Sequence, residues 1–400
     1  MAELIVSDML RRVAPSPTVA ITQKARELRA EGRDVIALSV GEPDFDTPDH
    51  IKLAARDAID RGETNYTAVD GLPALKRAIM AKFERDNGLT FTPEECVATS
   101  GGKYLIYAAL MATLNPGDEV IVPAPYWVSY PDLVRMTGAE PKIVPAPAEQ
   151  GFILDPETLK KAITKKTRWL ILNSPSNPTG AVYTRKDLEA IADVLRSHPH
   201  VWLMTDDLYE HVLFDAEFFT LPQIAPDLKD RTLIVNGVSK AYAMTGWRLG
   251  FGAGPAALMK EITKLLGQTT TNPSSISQWA AVAALNGPHD FLKPRNEAFR
   301  SRRDKLVAGL NNIAGISCLT PEGAFYVYPS CADLMGRKYN GKKLKSDLDF
   351  AEALLEDQAV AVVPGTAFGL GPHFRISYAT SQAELDDAVS RLAAFVAKLS

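Results

Sequence analysis

Residues 232–248 read TLIVNGVSKAYAMTGWR, and the reading of that stretch decides the fold. Its first seven residues are apolar, short and rich in β-branched side chains, the pattern of a strand buried on both faces. Lys240 stands just past the strand's end, and a lysine buried there has to be paired or used. Arg248 follows eight positions on, beyond a glycine-containing segment. An amine at a strand's carboxyl end with a guanidinium nearby suits a covalently held aldehyde that carries a phosphate. By itself Ser239-Lys240 reads better as a solvated loop, because most lysines are solvated. The rest of the chain decides between the two.

From about residue 71 to 290, helix and strand patterns alternate. Helical periodicity runs through LPALKRAIMAKFERDN (72–87), YLIYAALMATL (104–114), YPDLVRMTG (130–138) and RKDLEAIADVLRSH (185–198). Between them CVATS (96–100), EVIVPAP (119–125), RWLILNSP (168–175) and VWLMTDD (201–207) read as strands. Near-continuous apolar strands between helices predict a mostly parallel sheet covered on both faces, an α/β fold. Before this region lie an amphipathic helix (18–32), a strand (35–40) and a helix (50–62). After about residue 295 the texture changes to an α+β layer. A long helix (299–313) leads to strand-like runs at 315–330, 360–369 and 374–381, and a closing helix follows at 383–399. The N-terminal segment is expected to pack with that layer.

Four hundred residues exceed what one core usually serves, so two domains are expected. A hydrophobic fraction of 46% with 23% charged residues excludes disorder. A net charge of −4 without a basic block excludes nucleic acid as a partner. Three scattered cysteines fit a reducing compartment without disulfides. His198 and His200 flank a proline in a polar turn, and no spacing suits a metal. The charged N-terminus and the lack of 18 consecutive apolar residues predict a cytoplasmic protein with no membrane span.

Ligands of an open parallel sheet gather outside the carboxyl ends of its strands. Ser100-Gly101-Gly102-Lys103 opens a helix there, and its backbone N–H groups suit a phosphate, although alone it reads as a tight turn. Asn173–Gly180 is stiffened by two X-Pro bonds, which would hold Asn177 for one directed hydrogen bond, for instance to a phenolate oxygen. Asp206 ends an apolar strand and needs a partner, for which a protonated pyridine nitrogen is suited. Alone it could equally cap a helix or join a salt bridge. Tyr209, three residues on, is placed to reach the same phenolate, and Trp127 offers a flat face for a planar ring. As a set, these residues ask for pyridoxal phosphate.

The motifs that carry this set extend nearly end to end. They are GEPDFDTP (41–48), NYTAVDG (65–71), TSGGK (99–103), NPGDEVIVPAPYWVSYP (115–131), NSPSNPTG (173–180), TDDLYEH (205–211), NGVSKAYAMTGWR (236–248), PEGAFYVYP (321–329) and FRISYATS (374–381). With them the chain resembles the class I aminotransferases of pyridoxal-phosphate fold type I, and is most similar to bacterial aspartate aminotransferases of the rhizobial and thermophile subgroup. The resemblance implies a large domain over 48–295, with a mostly parallel seven-stranded sheet sandwiched by helices. A smaller α+β domain of residues 1–47 and 296–400 would close over the site. It implies that Lys240 carries the cofactor as an imine and shuttles the α-proton, that Asp206 pairs with the pyridine nitrogen, and that Asn177 and Tyr209 hold the phenolate oxygen. Trp127 would stack on the ring. Ser100, Gly101, Gly102, Ser239 and Arg248 would serve the phosphate, with Tyr66 arriving from the other subunit of a homodimer. Arg375 would clamp the substrate α-carboxylate bidentately, Gly41 would lie against the substrate, and Lys103 would meet a distal carboxylate. The implied reaction moves an amino group from L-aspartate to 2-oxoglutarate in two ping-pong halves. Aromatic or neutral amino donors are the alternative, and lyase chemistry or a non-catalytic binding module are remoter ones.

The chain departs from the family pattern at Gly237, where many relatives have Ser. It departs again at Ala14 and Val128, where relatives that use prephenate tend to carry Lys and Thr, and in QTTTNPSSIS (268–277). Ala14 and Val128 therefore weaken the case for prephenate as a second substrate.

Overall fold

The computed structural model describes residues 5–15 and 17–400. Fourteen strands are named in chain order: β1 Ile36–Ala37, β2 Cys96–Thr99, β3 Glu119–Ala124, β4 Glu140–Pro145, β5 Thr167–Asn173, β6 Trp202–Asp206, β7 Thr232–Gly237, β8 Gly250–Ala253, β9 Tyr326–Val327, β10 Lys338–Tyr339, β11 Lys342–Lys343, β12 Val360–Ala361, β13 Val363–Pro364 and β14 Phe374–Ser377. Seven of them form one sheet in the order β2-β8-β7-β6-β5-β3-β4. The pairs β4·β3, β3·β5, β5·β6 and β6·β7 are parallel, and β8 runs against both of its neighbours. Strands β2, β5, β6 and β7 therefore all end on one edge of the sheet, at Thr99, Asn173, Asp206 and Gly237. That edge is where the candidate residues gather.

β7 is buried at every position, and β5 and β6 are buried except at Arg168, Asn173 and Trp202, because apolar residues dominate all three strands. Apolar clusters fill both faces of the sheet, one with Phe83, Phe251 and Ala281, another with Leu105, Ile262 and Leu233. The glycines of β8 permit this packing. A Cβ on Gly252 would lie 2.4 Å from the Ile234 carbonyl, and one on Gly250 would lie 2.2 Å from the Gly102 nitrogen.

A separate cluster joins Ile36 and Leu38 to β9, β14 and the helices Leu292–Asn311 and Gln382–Ala397. The N-terminal segment does pack with the C-terminal layer: β1 pairs with β12 in parallel, and Ser377 N donates to Leu38 O. A three-stranded antiparallel sheet, β13-β14-β9, presents Arg375 toward the large sheet's edge. Several expected strands are shorter than their apolar runs. The run 35–40 keeps two strand residues, and 315–330 keeps only Tyr326–Val327, where Gly315, Pro321, Gly323 and Pro329 interrupt the ladder. No helix among the described residues is long and apolar enough to cross a membrane. Cys96, Cys318 and Cys331 are free and buried.

One charged group lies entirely inside the fold. Lys82 is 0% exposed and pairs with Glu210, itself buried, while donating to Asn87 Oδ1 at 2.7 Å. Asn236 Nδ2 completes the set by donating to Glu210 Oε1 at 2.9 Å. Lys82→Met strands a buried carboxylate and is expected to cost about 3–5 kcal/mol in urea unfolding. Adding Glu210→Gln should recover most of that loss. A wild-type urea midpoint for Lys82→Met would show that the pair is not structural.

Candidate active site

Strands β5 and β6 each end on the shared edge in a polar side chain, and the register sets their heights. Asn173 of β5 is level with Asp206 of β6. Asn173 Nδ2 donates to the Asp206 carbonyl at 2.8 Å, and its Oδ1 accepts from Asn177 N at 2.8 Å. The proline-stiffened loop is therefore pinned to the neighbouring strand, which aims the Asn177 side chain. Asn177 Oδ1 accepts from Arg375 Nη1 at 2.9 Å.

The Asp206 carboxylate is buried at the edge. Its Oδ2 accepts from Tyr130 Oη at 2.5 Å and its Oδ1 from Leu208 N at 3.4 Å. Burial pushes its pKa up to about 6, against the pull of those hydrogen bonds. Lys240 lies beyond the end of β7, and its Nζ donates to Gly41 O at 2.7 Å. Burial, and then the nearby Arg375 charge, bring its pKa down to about 8.

Arg375 is 2% exposed. Its Nη2 donates to Ser39 O at 2.6 Å, and its Nε is buried without a partner. Tyr326 and Phe368 place their rings 4.7 Å and 5.1 Å from the guanidinium. No carboxylate among the described residues pairs with it. A buried guanidinium in that state is built to receive an anion.

Tyr209 and Tyr326 are both buried and share a hydrogen bond of 2.8 Å between their hydroxyls. Trp127 meets Tyr130 edge to face at 5.3 Å, and Lys103 Nζ stands 4.8 Å from the Trp127 ring centre. Burial, with the Arg248 charge second, lowers the Lys103 pKa. The Ser100–Gly102 turn starts the helix Gly102–Thr113 with Gly101 at φ 94°, left-handed backbone that favours glycine. A Cβ on Gly101 would lie 2.4 Å from Arg248 Nη2, so the guanidinium rests against the turn itself. Arg248 Nη1 donates to Thr245 O at 2.9 Å.

A cavity of ≈ 240 Å³ gathers nine of the residues expected from sequence: Gly41, Gly102, Lys103, Trp127, Asn177, Asp206, Tyr209, Lys240 and Arg375. Ser100, Gly101, Ser239 and Arg248 do not line it. Tyr66 does not enter it either; it is 89% exposed and borders a separate open groove with Asn65 and Thr271–Ile276. Val128 lines the cavity, whereas Ala14 is exposed and outside it.

Three participants escaped the sequence reading. Tyr130 holds Asp206, Asn173 holds Asn177, and Tyr326 holds Tyr209. Each sat inside a quoted motif, but Tyr130 and Tyr326 act on partners 76 and 117 residues away, and Asn173 acts within its own loop while bonding the Asp206 carbonyl of the next strand.

The model of the family "aminotransferase class I and II" matches residues 33–392. An aspartate/prephenate aminotransferase of Cereibacter sphaeroides is 58% identical over 99% of both chains. The crystal structure of the aspartate aminotransferase from Rhizobium meliloti superposes with a TM-score of 0.97 at 52% identity, covering 100% of each chain. That of Thermus thermophilus with maleate gives 0.92 at 44% identity, over 98% of this chain and 100% of that one. The chain belongs to the class I and II aminotransferases.

The lowered Lys240 pKa has a direct consequence. A simple aromatic aldehyde with cyanoborohydride should label Lys240 with a rate that rises through a midpoint near pH 8. Peptide mapping across pH checks this, with surface lysines still rising near their ordinary value of about 10.4. A Lys240 midpoint as high as theirs would contradict the geometry.

Proposed function

We propose that this aminotransferase uses pyridoxal 5'-phosphate, takes L-aspartate as its amino donor and 2-oxoglutarate as its acceptor, and works in the cytoplasm as a homodimer with shared sites. The observation that carries the reading is Arg375, a buried guanidinium without a carboxylate, facing the same cavity as Asp206 and Lys240. The chain would divide into a large unit, residues 48–295, and a smaller one, 1–47 and 296–400, with the cavity between them.

The residues present fit the cofactor. Asp206, a buried carboxylate without a cation bonded to it, suits a protonated ring nitrogen and would be fully ionised beside one. Asn177 and Tyr209 would hold the phenolate oxygen, and Trp127 would cover the ring face. Gly101, Gly102, Ser100, Ser239 and Arg248 would hold the phosphate at the start of the Gly102–Thr113 helix, where backbone N–H groups and the helix dipole favour an anion. Tyr66 is too exposed to serve its own chain's cavity and would reach the phosphate of a second copy. When bound, pyridoxal phosphate supplies a carbonyl carbon that exchanges with amino groups and a cationic ring that takes up the electron pair left at an α-carbon.

The chain's own residues do the rest. Arg375 binds the α-carboxylate through two parallel N–H···O contacts, fixing the amino acid against Gly41. Its partners Asn177 and Ser39 keep the guanidinium plane in place before substrate arrives. Lys240 Nζ, with its depressed pKa, is a free amine in a large share of molecules near pH 8 and so takes the α-proton. The same Nζ returns a proton when the 2-oxo acid acceptor is aminated, so both halves of the reaction use one base. Tyr326 and Phe368 keep water from the guanidinium. Lys103, over the Trp127 face, offers the second positive charge that a dicarboxylic amino acid needs.

Prephenate is the second reading, because the Cereibacter relative carries that name. Val19, Ile106 and Val128 give the cavity an apolar side able to face a ring.

Single-turnover rates with aspartate, glutamate, phenylalanine, alanine and prephenate test the substrate. Aspartate and glutamate should lead, and a dominant aromatic rate would contradict the proposal. Lys240→Ala should remove all turnover. Lys103→Met should cut kcat/KM for aspartate by about 10- to 100-fold, the worth of one hydrogen bond to a charged group, and leave phenylalanine nearly unchanged.

A further inference from the structure

PEGAFYVYP (321–329) reaches the cavity through Tyr326, whose ring shields Arg375 and whose hydroxyl meets Tyr209. We propose that Tyr326 is a positioning residue: its hydroxyl donates to Tyr209 and so commits the Tyr209 proton to the cofactor's phenolate oxygen. The proposal rests on the pyridoxal-phosphate reading above.

A phenol has one proton to give and lone pairs to receive. If Tyr209 donates to the phenolate oxygen, its contact with Tyr326, 2.8 Å between hydroxyls, is satisfied only when Tyr326 is the donor. The surroundings favour that direction. Burial raises both pKa values, Tyr209 well above the ordinary phenol value, while the Arg375 guanidinium, 4.7 Å from the Tyr326 ring, is the largest pull the other way on Tyr326 and leaves it the more acidic phenol of the two. Both rings are buried, at 1% for Tyr326 and 4% for Tyr209, so water does not compete for the bond. In a dry site, successive hydrogen bonds also polarise one another, and the outer donor strengthens the inner one.

The fold reserves space for this hydroxyl. A Cβ on Gly41 would lie 2.4 Å from Tyr326 Oη, so any side chain at Gly41 would displace it. The Gly41 carbonyl in turn accepts from Lys240 Nζ. Tyr326 thus stands between the α-carboxylate receptor Arg375, the cofactor donor Tyr209 and the backbone that steadies Lys240. It touches none of the reacting atoms.

Loss of the hydroxyl has a definite sign. A weaker hydrogen bond at the phenolate oxygen leaves more negative charge on the ring system. The group conjugated with it then holds its proton to higher pH. The experiment loads the full-length enzyme with pyridoxal phosphate and follows the absorption spectrum of the bound cofactor against pH. Tyr326→Phe should move the midpoint upward by about 0.5–1 pH unit, the worth of one neutral hydrogen bond. Its ring still supports Arg375, so KM for aspartate should stay within about twofold while kcat falls about three- to tenfold. Tyr209→Phe should shift the midpoint further, and Tyr326→Phe added to it should shift nothing more. A wild-type midpoint in Tyr326→Phe would overturn the proposal. An undiminished shift in the Tyr209→Phe background would do the same. Wild-type protein that develops no cofactor band at all would instead overturn the cofactor reading, and this inference with it.

Discussion

The arrangement of this molecule depends on holding three charged side chains in one cavity without the counter-charges their burial demands. Among the described residues, Asp206 has hydrogen bonds but no cation bonded to it, Arg375 has carbonyl and amide acceptors but no carboxylate, and Lys240 has a backbone carbonyl. Left to themselves such groups shift their pKa values toward neutrality, and burial moves all three that way, Asp206 upward and Lys240 and Arg375 downward. They stay in place because rigid elements over-determine them. Asp206 and Lys240 sit at the ends of adjacent buried strands, and Arg375 on a strand pinned by β9 and β13. On the proposed function, the missing counter-charges are those of the ligands. A protonated ring nitrogen suits the carboxylate, and a substrate carboxylate suits the guanidinium, so binding relieves a cost built into the free protein.

Much of this was legible in the sequence because the informative residues stand at strand ends. An apolar β-branched run with a chargeable residue at its tip reads as buried strand and functional group at once, as TLIVNGVSK and VWLMTDD show. The parallel edge then follows from alternation of helix and strand, and the structure bears it out with β2, β5, β6 and β7 ending together. The short strands of the C-terminal layer were less legible. Their apolar content comes from packing against helices, as in the cluster of Phe325, Phe350 and Phe374, rather than from ladder pairing.

What stayed hidden is pairwise. Tyr130, Asn173 and Tyr326 each lie within a recognisable motif, yet each gains meaning only from a partner 76, 4 or 117 residues away. The antiparallel insertion of β8 was equally invisible, because Gly250–Ala253 carries too few side chains to show a pattern. Its glycines are there for their lack of side chains, which lets the Gly102 turn approach the sheet. The buried Lys82–Glu210 pair belongs to the same class, joining a helix to the segments that carry Tyr209 and Lys240.

The central claim is that the uncompensated charges of the cavity are complementary to one cofactor and one dicarboxylate. A crystal structure of the chain grown with pyridoxal phosphate and maleate tests it most directly. The expected result is the ring nitrogen against Asp206, the aldehyde carbon bonded to Lys240, and one maleate carboxylate lying bidentate on Arg375. A ring turned so that its nitrogen faces another residue, or a carboxylate that leaves Arg375 bare, would contradict it.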